Sequence, residues 1–456
     1  MSSAEMLTQP QGLRLSPTGL PSVPVLGHLL DIRKDMLGFF ERCAREHGDV
    51  SLIKLATAEA VLINNSDLIE EVLVEKADKF VKNHFFWRQL DAIMGGGLFT
   101  AEDGEWRKQR KHSSPAFRSQ ELEAYAPHMV QLVDQLVGSW KDGQEFDMHR
   151  EILALGLKIS AKTLLNADVE QDIEDLEKAA YWLIDEIAAR FSRPFVIPDA
   201  VPLPGHIRYL KGVAYLDRLV YRVIDEFRSG KIEPAGFLAS LMAVRDEDGK
   251  PLSDKQLRDQ VLTMLLAGYE TTALSMSFGF DLLGQNRDYQ DRMAAEVRAV
   301  TGDRPVTYED LPKLPLTEWA VIETMRVLPP AWAVGREARE DVEIGDYLIR
   351  KGTGVIISSW VTHRDPRYFD DPTSFRPERW AGDFRRKLPR FAYYPFGGGP
   401  RICIGNRFAM MEAMLFLATI AKRFDVERLT ERPYKLLPSI TIRPTGGIWV
   451  RLHERK

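Results

Sequence analysis

The sequence predicts a mainly α-helical protein with small β-sheets (α+β). Residues 120 to 230 read as several amphipathic helices. A further helical stretch, from Ser253 to about Gly284, would be roughly 48 Å long at 1.5 Å per residue, enough to cross a whole domain. β-character is confined to short runs. Val50–Lys54 and Ala60–Ile63 are rich in β-branched residues, and from about Tyr434 the apolar positions Leu437, Ile440, Ile442, Ile448 and Val450 suit short strands.

Composition narrows the functional class. The 456 residues suffice for one large domain or two ordinary ones, and 45% hydrophobic content is normal for a globular enzyme. A net charge of -5 gives no global case for nucleic acid or an anionic membrane. Two cysteines exclude a disulfide scaffold and fit a reducing compartment. No apolar run of about eighteen residues is present, so no membrane span is expected. Met1 to Pro10 lacks the basic and apolar regions of a signal peptide.

Residues 1–16 are expected to be disordered, and 17–456 to form a single domain. Pro17 to His28 is proline-rich and should lie extended on the surface. A helix from about Met36 to His47 stops at Gly48, with Cys43 as a structural residue inside it. From Asn83 to Gly104 regularity fails. Phe85, Phe86, Trp87, Ile93, Leu98 and Phe99 lie among Gly95-Gly96-Gly97, as core staples or as the wall of a binding site. Trp106 and Arg110 are four apart on one helix face, a donor pair suited to a carboxylate. Arg107, Lys108 and Lys111 lie on other faces. Between Leu176 and Leu219, Ser192-Arg193-Pro194 and Pro198, Pro202, Pro204 and Gly205 break the pattern into two helices. Their long connection reads as a mobile lid or as an ordinary joint.

Ala267-Gly268-Tyr269-Glu270-Thr271-Thr272 lies midway along the long helix. Thr271 can bond back to the carbonyl of Ala267 and bend the helix, leaving a groove beside a hydroxyl and a carboxylate. Glu323 and Arg326 are three apart on a helix that ends in Pro329-Pro330. The stretch Phe396 to Gly405 sets one cysteine among glycines, with Arg401 two residues earlier and a helix-like run immediately after. A cysteine at a helix N-terminus near Arg401 and Arg407 favours the thiolate, a soft metal ligand. With Cys43 the only other cysteine, zinc and iron–sulfur sites are excluded. A haem axial ligand and a buried structural cysteine both remain open.

The spacing of Phe396, Gly399, Arg401, Cys403 and Gly405 is that of Phe-x-x-Gly-x-Arg-x-Cys-x-Gly, and it resembles the haem-binding loop of the cytochrome P-450 monooxygenases. Ala-Gly-x-Glu-Thr-Thr resembles that family's acid–alcohol motif. Trp106-x-x-x-Arg110 resembles its propionate motif, and Glu323-x-x-Arg326 with Pro377-Glu378-Arg379 its structural triad. The resemblance implies the family's fold from about Pro17, mostly α with small β-sheets at one edge. It implies haem b between the long helix, with Ala267 on the distal side, and the loop of Phe396, Gly399 and Gly405, with Cys403 as axial thiolate. Trp106, Arg110, Arg336 and Arg401 become the propionate candidates, and Glu270 and Thr271 the acid and alcohol that relay protons. Glu323, Arg326 and Arg379 become a buried network that is structural, not catalytic.

The pocket candidates are Phe85, Phe86, Trp87, Leu98, Tyr269, Ala331, Trp332, Val334 and Ile440, mostly apolar, which favours a fatty acid, terpenoid, steroid or polyketide. The chain ends about fifty residues after Cys403, so no fused reductase is expected. Electrons would come from a ferredoxin or flavodoxin with its NAD(P)H reductase, with the basic residues of the Trp106 helix as a docking patch. Together these imply a soluble, cytoplasmic, bacterial-type monomer that uses O2. The alternatives are epoxidation, desaturation or oxidative coupling, a peroxide-driven peroxygenase (against which Glu270-Thr271 counts), and a non-catalytic haem-thiolate sensor.

Overall fold

The computed structural model describes residues 15–56, 58–82, 90–167, 172–191, 197–199 and 201–455. The expected disordered tail falls outside these up to residue 14. Its last part differs from expectation: Leu15 is held by backbone bonds to Asp346 and Leu348 at 2.9 and 3.1 Å.

Helix α1 (Met36–His47) starts where the Asp35 side chain accepts from the Gly38 N–H and stops at Gly48, φ 79°, a conformation that suits glycine. Its inner face buries Leu37, Phe39, Phe40 and Cys43. Strands β1 (Val50–Leu55) and β2 (Ala58–Ile63) pair antiparallel, Val50 opposite Ile63. They join β3 (Phe80–Val81), β5 (Val334–Ala338) and β8 (Gly354–Ile357) in one sheet, ordered β1-β2-β8-β5-β3, with β2 and β8 parallel. β6 (Val342–Ile344) and β7 (Tyr347–Ile349) form a separate hairpin.

The helical bulk comprises α2 (Asp103–Ser113), α3 (Ser119–Ser139), α4 (Met148–Leu165), α5 (Ile173–Phe191), α6 (Pro204–Arg228), α7 (Asp254–Leu283), α8 (Arg287–Thr301), α9 (Pro315–Val327) and α10 (Asn406–Arg423). Strand β4 (Glu145–Asp147) pairs with β12 (Trp449–Glu454), which also pairs with β9 (Phe424–Arg428). β10 (Lys435–Pro438) and β11 (Ile442–Thr445) form the hairpin whose turn carries Ile440.

Helix α7 is the spine. Its 30 residues span roughly 45 Å. Ser253 and Gln256 close a reciprocal capping box at its start, satisfying two donors that a helix N-terminus otherwise leaves open. Burial on nearly every side explains its weak amphipathicity: Phe278, Phe280 and Leu283 are fully buried on one turn after another. Phe280 meets Phe416 of α10 edge-on at 5.6 Å, and each such buried ring contributes about 1.5–3 kcal/mol. Helix α4 crosses closely at Gly156, where a Cβ would stand 3.1 Å from the Tyr269 carbonyl oxygen.

Residues 83–89 lie outside the described set, and Phe85, Phe86 and Trp87 with them. The glycines that follow lie directly on α7. Gly96 N–H donates to Asp259 Oδ2 at 3.0 Å, and a Cβ at Gly97 would stand 2.0 Å from Thr263 Oγ1. Here glycine permits close approach rather than motion.

On α9, which packs against α10, a buried charge network locks the chain after β8. Glu323 and Arg326, both wholly buried, pair through two bonds of 2.9 and 2.8 Å. Arg326 spends its remaining donors on the carbonyls of His363, Pro372 and Ser374. Glu323 also accepts from Arg379 Nε at 3.0 Å, Trp380 Nε1 at 2.8 Å and the Arg376 N–H at 2.9 Å. His363 accepts the Tyr394 N–H on Nε2 at 3.0 Å, so Nδ1 carries its proton. Burial holds this ring neutral, far below the usual histidine range.

Candidate active site

Cys403 sits on a loop whose shape requires its glycines. Gly397 and Gly399 take φ of 69° and 67°, and a Cβ on Gly399 would stand 1.7 Å from the Leu73 carbonyl oxygen. The Cys403 N–H closes the loop onto the Phe396 carbonyl at 3.0 Å. The cysteine has accessible surface, yet the protein around it desolvates its thiol.

Burial pushes the thiol up, opposed by the Gly405 N–H and the Arg110 cation. The thiolate is therefore not supported by Arg401 and Arg407 as the sequence suggests. Arg401 turns to Glu102 and the Ala101 carbonyl, and Arg407 reaches Ser119. Among the described residues no three His, Cys, Asp or Glu stand close enough to hold a metal ion.

Around the loop lies an unbalanced set of charges. Arg401 pairs with Glu102, and its guanidinium lies 4.5 Å from the Trp106 ring centre. Arg110 Nη1 donates to the Ile402 carbonyl at 2.7 Å, beside the cysteine. Arg336, on β5, donates only to the neighbouring Gly335 carbonyl and has no ion pair with a described residue. Burial first, and then Arg401, press it down to about 10. Lys82 is buried in the same field. Its ammonium donates to the Phe99 carbonyl and lies 3.9 Å from the Phe99 ring centre. Burial, then Arg401 and Arg336, hold it well below the usual lysine range. Glu102 opposes these groups, joined at Arg401 by Asp103, and it also accepts the Lys82 backbone N–H at 2.9 Å. A desolvated Arg336 without an ion pair among the described residues is costly without an anion.

Haem carries an iron that accepts a thiolate and two propionates that would balance this charge. The residues present fit it: a desolvated thiol on a tight glycine loop, and a desolvated arginine without an ion pair among the described residues. The middle of α7 offers a matching opening. In a helix buried along most of its length, Ala267 is exposed and Gly268, Glu270 and Thr271 are half-buried. Thr271 Oγ1 donates to the Ala267 carbonyl at 2.8 Å, the back-bond expected for a mid-helix threonine. Glu270 does not stand free: Arg443 Nε pairs with its Oε1 at 2.8 Å, and Thr441 Oγ1 donates to the same oxygen at 3.3 Å.

The pocket candidates divide. Ala331 is exposed, and Val334 and Ile440 are half-buried; Val334 lies beside Gly397, and Ile440 packs on the apolar cluster that contains the first half of α7. Leu98 is buried in that cluster, its N–H on Gln260 Oε1 at 3.3 Å. Two candidates are corrected. Trp332 belongs to the main core: it stacks on Phe40 at 5.4 Å, and its Nε1 donates to the Ser439 carbonyl at 2.7 Å. Tyr269 turns to the packed side of α7, 2% exposed, where burial raises its hydroxyl far above the usual tyrosine range.

Sequence reasoning missed Lys82, Glu102 and Arg443. Nothing in their local patterns marks them, since each gains its place through residues distant in the chain. Glu412 was also missed. It is wholly buried on α10, bonded to Thr272, and pushed up to about 8 by burial.

A desolvated cysteine thiol on a glycine loop flanked by arginines, with an acid and an alcohol midway along a long helix, is the residue set of a haem-thiolate class of protein. The comparisons give the family. The cytochrome P450 family model matches residues 17–450, and the chain belongs to that family. It is 33% identical to the cyclooctat-9-en-7-ol 5-monooxygenase of Streptomyces melanosporofaciens, over 88% of each chain. It is 31% identical to the pentalenene oxygenase of Streptomyces avermitilis, over 89% of this chain and 90% of that one. Among solved structures it resembles the cytochrome P450DA heme domain, with TM-score 0.87, 27% identity, and 97% of this chain and 98% of that one covered. The protein is thus a P450 monooxygenase that uses haem, O2, a redox partner and a hydrophobic substrate. No helix among the described residues is long and apolar enough to cross a membrane.

Proposed function

We propose that this chain binds haem b through Cys403 and inserts one oxygen atom from O2 into a C–H bond of a cyclic terpenoid. The observation that carries the site is Arg336, desolvated and without an ion pair among the described residues, on the strand that packs beside the loop of the Cys403 thiol. The two Streptomyces relatives act on cyclic terpenes by name, which favours that substrate class over a fatty acid, steroid or polyketide.

Bound haem supplies the iron chemistry: RH, O2, two electrons and two protons become ROH and water. The chain supplies the rest. Cys403 Sγ would hold the iron as a thiolate, favoured by the Gly405 N–H and the Arg110 cation. Arg336 and Arg110 would hold the propionates, with Arg401 braced by Glu102 and Trp106. Thr271 Oγ1 donates its hydrogen bond to the Ala267 carbonyl, so its lone pairs can accept from a water. Glu270 is the carboxyl that takes protons from outside and passes them inward. Ala331, Val334 and Ile440 provide apolar wall. Arg107, Lys108 and Lys111 are exposed on α2 and suit an acidic ferredoxin or flavodoxin. The domain spans residues 17–456, monomeric and cytoplasmic.

The reading is tested by titrating the haem-loaded protein with pentalenene and with linear lauric acid while following the spin state, then identifying product with a plant ferredoxin and its NADPH reductase. A spin shift and an oxygenated product with the terpene, and neither with the fatty acid, is expected. The reverse preference would overturn the substrate class.

A further inference from the structure

Glu270 and Thr271 are adjacent on α7, but each is held by a third group. Thr271 is committed to the Ala267 carbonyl, and Glu270 Oε1 to Arg443 and Thr441. The Glu270–Arg443 pair is largely shielded, with side chains 13% and 14% exposed. The guanidinium does more than neutralise the acid. Its Nη2 donates to the Ile184 carbonyl on α5 at 3.2 Å and to Ser439 Oγ at 3.3 Å. One rigid planar fork therefore joins three elements: the acid on the spine, the β10–β11 hairpin, and the first helix of the α5–α6 pair. Ile184 lies within α5, so its carbonyl moves only when that helix moves.

We propose that Arg443 is a positioning residue that locks Glu270 and ties its release to movement of α5. This rests on the reading of Glu270 as proton donor. While α5 sits as observed, Arg443 is fixed at both ends and the carboxylate stays with it. A shift of α5 removes one anchor, loosens the fork, and frees Glu270 to swing toward Thr271 Oγ1. Proton supply is thereby coupled to the covering helices, so that protons are withheld until those helices take up the right position. No bond is made or broken beyond hydrogen bonds and one ion pair.

The test compares wild type with Arg443→Gln, Arg443→Lys, Thr441→Val and Glu270→Gln, each checked for haem loading. Two properties are read: amide hydrogen exchange over residues 184–191, and NADPH oxidation without substrate, driven by a plant ferredoxin and its reductase. In Arg443→Gln, α5 exchange and NADPH oxidation should both rise about threefold or more. Arg443→Lys restores a point charge but not the fork and should recover both only in part. If the glutamine variant does not load haem, Thr441→Val, which removes one donor to Glu270, should raise oxidation in the same direction by less. Unchanged α5 exchange, or oxidation that falls in Arg443→Gln as it does in Glu270→Gln, would overturn the lock. Oxidation unchanged in Glu270→Gln would instead overturn the proton-donor reading, while raised exchange in Arg443→Gln would still support the tether.

Discussion

Two charge clusters, one around Glu323 and one around Arg336, are built on opposite principles. Around Glu323 every donor of Arg326 has an acceptor, and the carboxylate is met by Arg379, Trp380 and a backbone N–H. Around Arg336 the balance is open: it has no ion pair with a described residue and reaches only its neighbour's carbonyl. A closed network holds structure, and an open one is completed by a ligand. Two shielded arginines can therefore have different purposes, and the difference lies in their partners.

The sharpest way to break this contrast is to cut the closed network. Arg326→Gln leaves Glu323 buried beside one fewer cation and should cost about 3–5 kcal/mol, read as a fall in the denaturation midpoint of the loaded protein. A loss below about 1 kcal/mol would mean that the network is not closed.

Buried groups that stay neutral give a second measure, through pH. Burial lowers His149 from 6.5 to about 4, where its Nδ1 meets Ser277 Oγ at 3.0 Å. The unfolded chain gains this proton below pH 6.5 and the folded chain only near 4, so stability falls as pH drops through that window, by up to about 3 kcal/mol. Glu412 runs the other way. Its folded value is raised from 4.5 to about 8, so its contribution is intact below 4.5 and is lost as pH rises toward 8. Glu412→Gln should flatten the alkaline limb of a stability–pH curve, and His149→Asn the acid limb. Limbs that persist in those variants would assign the slopes to other groups.

The smallest change in stability belongs to the open cluster. Arg336→Leu removes an uncompensated cation, so the haem-free protein should be as stable as wild type or slightly more so. Haem retention should fall about tenfold, near 1.4 kcal/mol, as measured by transfer to apomyoglobin. A large loss of haem-free stability with normal retention would place Arg336 among the structural arginines.

How much of this was legible in sequence depended on distance along the chain. Helix α1 was expected from Met36 to His47 and is found there, and the spine was expected from Ser253 to about Gly284 and runs from Asp254 to Leu283. Both follow from local signals: caps, a stop glycine and a long apolar run. The Thr271 back-bond was also local and could be foreseen. Trp332 and Tyr269 were misread because spacing alone does not say which side of an element faces the core. Arg443 was invisible because its partners come from other elements, with Thr441 and Glu270 of the same contact 171 positions apart. Lys82 was hidden likewise, among aromatics that looked like the site's wall.

The central claim is that the Cys403 thiolate holds a haem whose propionates are met by the arginines around its loop. The most direct measurement is the carbon monoxide difference spectrum of the reduced, haem-loaded protein and of Cys403→Ser. The account predicts the red-shifted Soret band from which the family takes its name in the wild type, and its loss in the variant while helical content is kept. The same band in Cys403→Ser, or a wild type that folds yet never shows it, would contradict the account.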